Sequence, residues 1–355
     1  MEDNGPLMRA ARLYGPGDIR VTEVGRPRPG PGEILLRTTA ASLCGSDLRM
    51  IANGYRGVDV DHPLTLGHEF AGTIAEVGPG VVGYEVGQSV AVAPNYGCGR
   101  CEWCVRGMTH LCPVYEAFGI TIDGAFAEFV LVPAGPVAQG NLLVLQPDTA
   151  PETAALYEPL SCVVNGQDVI GVGVDDVVLV VGAGPIGLMH AFLARARGAA
   201  RVMLTDLSAE RVAACVRLGS FIEAVPAQEA MVGSVLSHTG GRGVDVAITA
   251  APSAAAQAAV VEAMATNGRV LYFGGLPKSA GRVQVDTNTI HYRQLRVCGS
   301  ARASVAQYRT AAAVAQGGAV PLPPMISKVF PLAEFSGAVA FAGAGQGIKT
   351  VISYD

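Results

Sequence analysis

The chain has 355 residues, half of them hydrophobic and 15% charged, with a formal net charge of -5. That length suits two domains with a sizeable core in each, and the acidic balance excludes a nucleic-acid-binding surface. Residues 1–20 lack the apolar core and small-residue cleavage site of a signal peptide. No run approaches the ~18 apolar residues a membrane span needs, so a soluble, cytoplasmic protein is expected.

From the N-terminus the pattern is β-rich, with short strand-like runs at 33–37, 72–77 and 89–92 set off by Pro/Gly turns at 27–33 and 78–88. From residue 150 the texture changes. A continuous apolar strand at 176–181 leads through a glycine-rich turn at 182–187 into an Ala-rich helix reaching 197. Further strands are predicted at 201–205, 221–225, 244–249, 269–273 and 295–298, several with helical stretches between them. Apolar strands alternating with helices indicate a parallel sheet covered on both faces, an α/β doubly wound fold. Beyond 300 the chain turns loop-rich, ends in a strand-like run at 350–353, and is read as returning to the first domain.

Four of the eight cysteines, Cys98, Cys101, Cys104 and Cys112, are spaced C-x2-C-x2-C-x7-C. Such a cluster in a cytosolic chain points to metal rather than to disulfides. Four thiolates make a tetrahedral structural zinc site. An iron–sulfur cluster also takes four, but a single motif inside a loop of an enzyme-like β domain favours zinc. With every ligand supplied by protein, this zinc braces a loop and does no chemistry.

Gly182-Ala183-Gly184-Pro185-Ile186-Gly187 fits G-x-G-x-x-G after an apolar strand and at the opening of a helix. Gly182 permits the tight turn, Gly184 lets the backbone approach a pyrophosphate, and Gly187 allows close helix–strand packing. The helix N-terminus offers N–H groups to the phosphates. Asp206, 19 residues after Gly187, ends the second strand, where it accepts hydrogen bonds from ribose hydroxyls and repels a 2′-phosphate. NAD is therefore expected over NADP. Arg211 pairs with Asp206, contacts the adenosine, or lies on a solvated helix face.

A catalytic zinc needs about three Cys, His or carboxylate ligands and one open position. Candidates are Cys44 in ASLCGSDL, His68 and Glu69 in LGHEFAG, and Glu158 in YEPL. Taken singly, His68 reads as an ordinary hydrogen-bonded histidine and Cys44 as a small core hydrophobe. Glu158 is more suggestive, since an unpaired buried carboxylate is costly.

In combination these segments resemble the zinc-containing medium-chain alcohol dehydrogenase family, in the family's order and over nearly the whole chain: CGSD at 44–47, GHE at 67–69, the cysteine lobe, EPL at 158–160 and the nucleotide fingerprint. The glutamate in EPL, where other alcohol dehydrogenases carry a cysteine, looks most like the sorbitol or polyol branch. The resemblance implies a GroES-like catalytic domain from 1–160 and 300–355 and a Rossmann NAD-binding domain from 161–299, with the active site between them. It also implies two zinc ions per chain and a homodimer or homotetramer. Cys44, His68 and Glu69 then hold the catalytic metal, with Glu158 either binding it or hydrogen-bonded to its water; which glutamate is the ligand stays open. Ser46 relays the proton of a secondary alcohol, whether polyol, sugar alcohol or cyclic, as hydride passes between it and NAD.

Three positions depart from relatives. Arg49 stands where many members have a histidine, Met50 replaces the tyrosine of sorbitol-type enzymes, and the substrate-side Arg-Tyr pair becomes Arg302-Ala303. The lost hydroxyls favour a bulkier or cyclic alcohol over a small linear polyol. The alternatives are a threonine-type amino-alcohol dehydrogenase, against which YEPL counts, and a non-catalytic NAD-binding relative, against which the full set of candidate ligands counts.

Overall fold

The computed structural model describes residues 6–227, 231–277 and 280–354. The chain divides into two compact units, Met1–Ser161 with Ala303–Ala313 and Leu322–Asp355, and Cys162–Arg302 with Val314–Pro321.

The first unit is built on a seven-stranded sheet in which Ile34–Ser42 lies between Glu69–Val77 and Lys349–Ser353. Only Arg37 of the strand Ile34–Ser42 is exposed, as expected for a central strand rich in Ile, Leu and Ala. Register places Ser42 opposite Glu69 on one side and opposite Val351 on the other. This pairing brings three distant segments together and sets the position of the site. Below it Phe70, Ile74, Phe118, Phe126, Phe335 and Ile352 share one core.

The second unit holds a six-stranded parallel sheet ordered Ile222–Ala224, Arg201–Thr205, Val177–Val181, Val244–Thr249, Met264–Tyr272, Arg296–Gly299. Numbered along the chain, the order runs third, second, first, fourth, fifth, sixth, the doubly wound Rossmann arrangement. Every residue of Val177–Val181 is buried, which explains why that strand has no polar alternation.

Two regions differ from their sequence reading. The stretch after 300, read as loop-rich, contains the helices Val305–Gln316 and Phe335–Gly343. Gly337 and Gly343 weaken the second by propensity; it forms because Phe335 and Ala338 are buried, with the Phe335 ring 4.9 Å from that of Phe126. A helix, Gly45–Asn53, also interrupts the β-rich first part directly after Cys44. Among the described residues no helix is long and apolar enough to cross a membrane.

Candidate active site and metal centres

Cys44 leaves the central strand and caps the helix Gly45–Asn53, its backbone N–H donating to Asp47 Oδ2 at 2.9 Å. Glu69 opens the neighbouring strand, and His68 immediately precedes it. Gly67 before them adopts φ 99° against Phe126, where a Cβ would sit 2.8 Å from the Phe126 nitrogen. One ligand atom each from Cys44, His68 and Glu69 lie within 4.8 Å of one another. His68 Nδ1 is 3.3 Å from Asp47 Oδ1, and its Nε2 is 3.4 Å from Ser46 Oγ. A carboxylate behind Nδ1 favours the tautomer that leaves Nε2 free for a metal. Burial disfavours the imidazolium, but the Asp47 and Cys44 charges outweigh it and raise the His68 pKa well above its ordinary value.

Glu69 has two unlike oxygens. Oε2 accepts hydrogen bonds from Ser42 Oγ and from Lys349 Nζ, whereas Oε1 is buried with no hydrogen-bond partner among the described residues. Lys349, 4% exposed, also donates to the Leu43 carbonyl at 2.8 Å. A thiolate, an imidazole and a carboxylate with an orphaned oxygen form a donor set that zinc accepts, so the residues fit the metal. Sequence reasoning missed Asp47, Ser42 and Lys349. Asp47 lay within the CGSD segment; Lys349, 280 positions from Glu69, gave no local signal.

Glu158 is in the first turn of the helix Tyr157–Ile170, which tolerates Pro159 because an N-terminal proline forfeits no helical bond. It is 6% exposed and falls outside the close group of Cys44, His68 and Glu69. Its charge is felt by the fully buried Tyr308, whose phenol burial and Glu158 together push well above the usual range.

Cys98, Cys101, Cys104 and Cys112 also converge within 4.8 Å, and all four are free thiols. Cys101 Sγ and Cys104 Sγ are 3.5 Å apart, too far for a disulfide. Gly97 is required beside them, since a Cβ there would lie 2.5 Å from Cys104 Sγ. Backbone N–H groups of Arg100 and Cys101 draw the Cys98 thiol down to about 6, while burial and Cys101 push Cys104 up to about 12.

In the second unit Gly182 adopts φ 116° with the Ala251 nitrogen 2.9 Å from where a Cβ would be. A Cβ at Gly184 would meet nothing within 4 Å, leaving a cradle open at the N-terminus of Pro185–Ala196. A Cβ at Gly187 would press on the Gly182 carbonyl. Pro185 and Ile186 are half-buried in the first turn. Asp206 Oδ2 accepts from Ala183 N and Oδ1 from Ser208 N, both at 2.8 Å. Arg211 is exposed one turn into the next helix.

Comparison with known proteins now bears on these two units. Residues 30–141 match the alcohol dehydrogenase GroES-like domain, and residues 185–316 match the zinc-binding dehydrogenase family. A protein from Pyrococcus furiosus named L-threonine 3-dehydrogenase is 35% identical over 328 residues, 90% of each chain. The chain belongs to the zinc-binding alcohol dehydrogenase family. A second relative of the same name, from Cutibacterium acnes, is 30% identical over 95% of this chain and 96% of its own. Among solved structures, a zinc-binding dehydrogenase from Sinorhizobium meliloti bound to NADP superposes with a TM-score of 0.89 at 32% identity, covering 98% of this chain and 99% of its own. An alcohol dehydrogenase from Thermus sp. ATN1 gives 0.87 at 27%, covering 98% and 100%.

The dehydrogenase's departures from relatives fall in different places. Arg49 is exposed, whereas Met50 is 7% exposed and belongs to the core with Ile51, Leu66 and Phe70. Met50 thus packs into the core of the first unit. Arg302 is half-buried at φ 60°, its carbonyl accepting from Asn165 Nδ2 at 2.8 Å, and Ala303 is buried.

Proposed function

We propose that this dehydrogenase moves a hydride between a secondary alcohol and NAD, using Cys44, His68 and Glu69 as the ligands of a catalytic zinc. The observation that carries the reading is their convergence within 4.8 Å with Asp47 behind the imidazole. Zinc held there supplies Lewis acidity toward the alcohol oxygen. Ser46, 3.4 Å from His68 Nε2, takes the alcohol's proton. Arg49 is a fixed cation and cannot accept it, so the proton leaves by water or the cofactor ribose. Glu158 supplies a second carboxylate near the reaction, and Arg302 a contact to substrate. Cys98, Cys101, Cys104 and Cys112 hold the structural zinc.

In the Rossmann domain, taken as 161–299 against a catalytic domain of 1–160 and 300–355, residues 182–187 receive the pyrophosphate, with Arg211 toward the adenosine. Asp206 favours NAD by charge; the NADP in the Sinorhizobium relative makes that preference worth measuring directly. Eight free thiols suit a reducing cytoplasm, and a homodimer or homotetramer is the expected assembly.

A second substrate reading has its own support. Both relatives above are named for threonine, a 3-hydroxy amino acid, so YEPL alone does not set that class aside. The experiment is a panel of threonine, sorbitol, inositol-like and simple secondary alcohols, with NAD and NADP, on protein of known metal content. Two zinc ions per chain and NADH formation abolished by Cys44→Ala are expected. One zinc per chain, with Cys44→Ala unchanged in turnover, refutes the reading. Best activity on sorbitol or xylitol refutes the bulkier-alcohol pocket.

A further inference from the structure

The first unit has a cavity of about 460 Å³ whose lining includes none of Cys44, His68 and Glu69. That volume falls within the range of small-molecule sites. Part of the lining is apolar, where Met8, Val24 and Phe129 pack together. Arg12 and Asp123, of opposite charge, line the same cavity, and among the described residues neither has an ion-pair partner. Arg12 gives Nη2 to the Pro63 carbonyl at 2.7 Å, and Asp123 accepts the Thr65 backbone N–H on Oδ1 at 2.8 Å. The rest of each group is uncommitted, although Arg12 is half-buried and a cation drawn from water calls for a carboxylate. Both charges belong to the surroundings of Thr65, which is also the register partner of Arg12.

The geometry points to an inhibitory site for an apolar α-amino acid, its carboxylate on Arg12, its ammonium on Asp123 and its side chain against Met8, Val24 and Phe129. A molecule of single charge pairs with one of the two groups and is repelled by the other. A zwitterion answers both, and each contact is a charge-assisted hydrogen bond. The same loop supports His68. Gly124 N donates to the Thr65 carbonyl, Phe126 N to the Leu66 carbonyl and Ala125 N to the Gly67 carbonyl, at 2.8, 2.9 and 2.8 Å. With Asp123 on the Thr65 N–H, these bonds hold the residues that lead into His68. An ammonium on Asp123 draws charge from the carboxylate and weakens its hold on Thr65, so occupancy loosens that support and lowers turnover. This last step rests on the zinc reading above; binding in the cavity does not.

The test is calorimetric titration of the zinc-loaded protein with L-leucine and L-phenylalanine, beside steady-state turnover at increasing concentrations of each. Neither carries a secondary hydroxyl, so neither is a substrate. Both should bind at about millimolar affinity or tighter. Saturation should lower kcat by about fivefold or more, with no relief from excess alcohol. Isocaproate, which lacks the ammonium, and isoamylamine, which lacks the carboxylate, should each bind at least about tenfold more weakly than leucine. Asp123→Asn keeps an acceptor for the Thr65 N–H and loses the charge, and Arg12→Met loses the cation. Each should weaken binding by about tenfold or more, and Asp123→Asn serves alone if Arg12→Met does not fold. No heat from either amino acid up to its solubility limit overturns the site, as does binding or inhibition that survives Asp123→Asn. Binding that needs both charges but leaves kcat unchanged overturns the link to His68. A protein inactive on every alcohol counts against the zinc reading instead, and the calorimetry still decides the site.

Discussion

Asp206→Asn separates two jobs that one carboxylate performs. Each of its oxygens accepts one backbone N–H at 2.8 Å, from Ala183 in the glycine loop and from Ser208 in the following turn. An amide keeps only one acceptor oxygen, so one N–H loses its partner at a cost of about 1–3 kcal/mol. At about 2–4 °C per kcal/mol, the melting temperature should fall by about 2–12 °C. The effect on cofactor choice has a different origin. Two unit charges ~4 Å apart interact by about 1–4 kcal/mol between water and an effective dielectric of 20. Removing the negative charge should therefore lower the NAD-over-NADP ratio of kcat/KM by about fivefold to nearly a thousandfold. The assay is steady-state kinetics with both cofactors on one alcohol, beside a thermal melt. A variant that melts earlier but keeps the parental cofactor ratio refutes the reasoning: Asp206 then ties two loops together and does not read the ribose.

Three further outcomes follow from single residues. His190, fully buried in the helix Pro185–Ala196, has its imidazole pushed down to about 3 by burial, with Arg197 adding to it, whereas an unfolded histidine titrates near 6.5. Below 6.5 the unfolded chain takes the proton first, so stability should fall by about 1.4 kcal/mol per pH unit until pH 3. His190→Asn should flatten denaturant-unfolding stability between pH 7 and 5 relative to the parent; an unchanged slope counts against the buried neutral imidazole. Cys112→Ser should cost one zinc per chain by elemental analysis and leave cobalt binding at Cys44, while loss of both metals would couple the two centres. Gly187→Val would drive a side chain into the Gly182 carbonyl and toward Val180 Cγ1, 3.4 Å from a Cβ. NADH affinity, read by fluorescence titration, should drop at least about tenfold, and an unchanged affinity would sink the assigned role of that glycine.

What could be read from the residues was whatever chain neighbours determine. The cysteine lobe lies within 15 consecutive residues, and the glycine loop within six, so spacing alone carries them. The strands at 89–92, 201–205 and 244–249 begin and end where their apolar runs do. The helix Phe335–Gly343 was hidden because its glycines argue against it locally and the burial of Phe335 and Ala338 that supports it is tertiary. Lys349 was hidden for a related reason. Its role exists only once the last strand pairs beside Ile34–Ser42, and no local pattern marks a lysine destined for a buried ion pair. The different surroundings of Arg49 and Met50 were hidden because the helix Gly45–Asn53 was not foreseen: a helix turns about 100° per residue, and it leaves Arg49 exposed while Met50 is buried in the core.

The open choice between Glu69 and Glu158 can be settled by what each carboxylate leaves behind. Glu69 is fully buried against the equally enclosed Lys349, so Glu69→Gln strands a cation in the interior. Breaking a buried pair from one side typically costs about 3–5 kcal/mol, while removing both charges is close to neutral. Unfolding stability should therefore fall by about that amount in Glu69→Gln and recover largely in Glu69→Gln combined with Lys349→Met, a coupling that a double-mutant cycle reads directly. Catalytic zinc should bind at least several-fold more weakly in Glu69→Gln, because a neutral amide replaces an anionic ligand oxygen. Glu158 lies outside the close ligand group, so Glu158→Gln should keep two zinc ions per chain and lose turnover instead. If Glu158→Gln empties the catalytic centre while Glu69→Gln keeps its zinc, the assignment is reversed, and Glu69 serves only to neutralise the lysine behind the pocket.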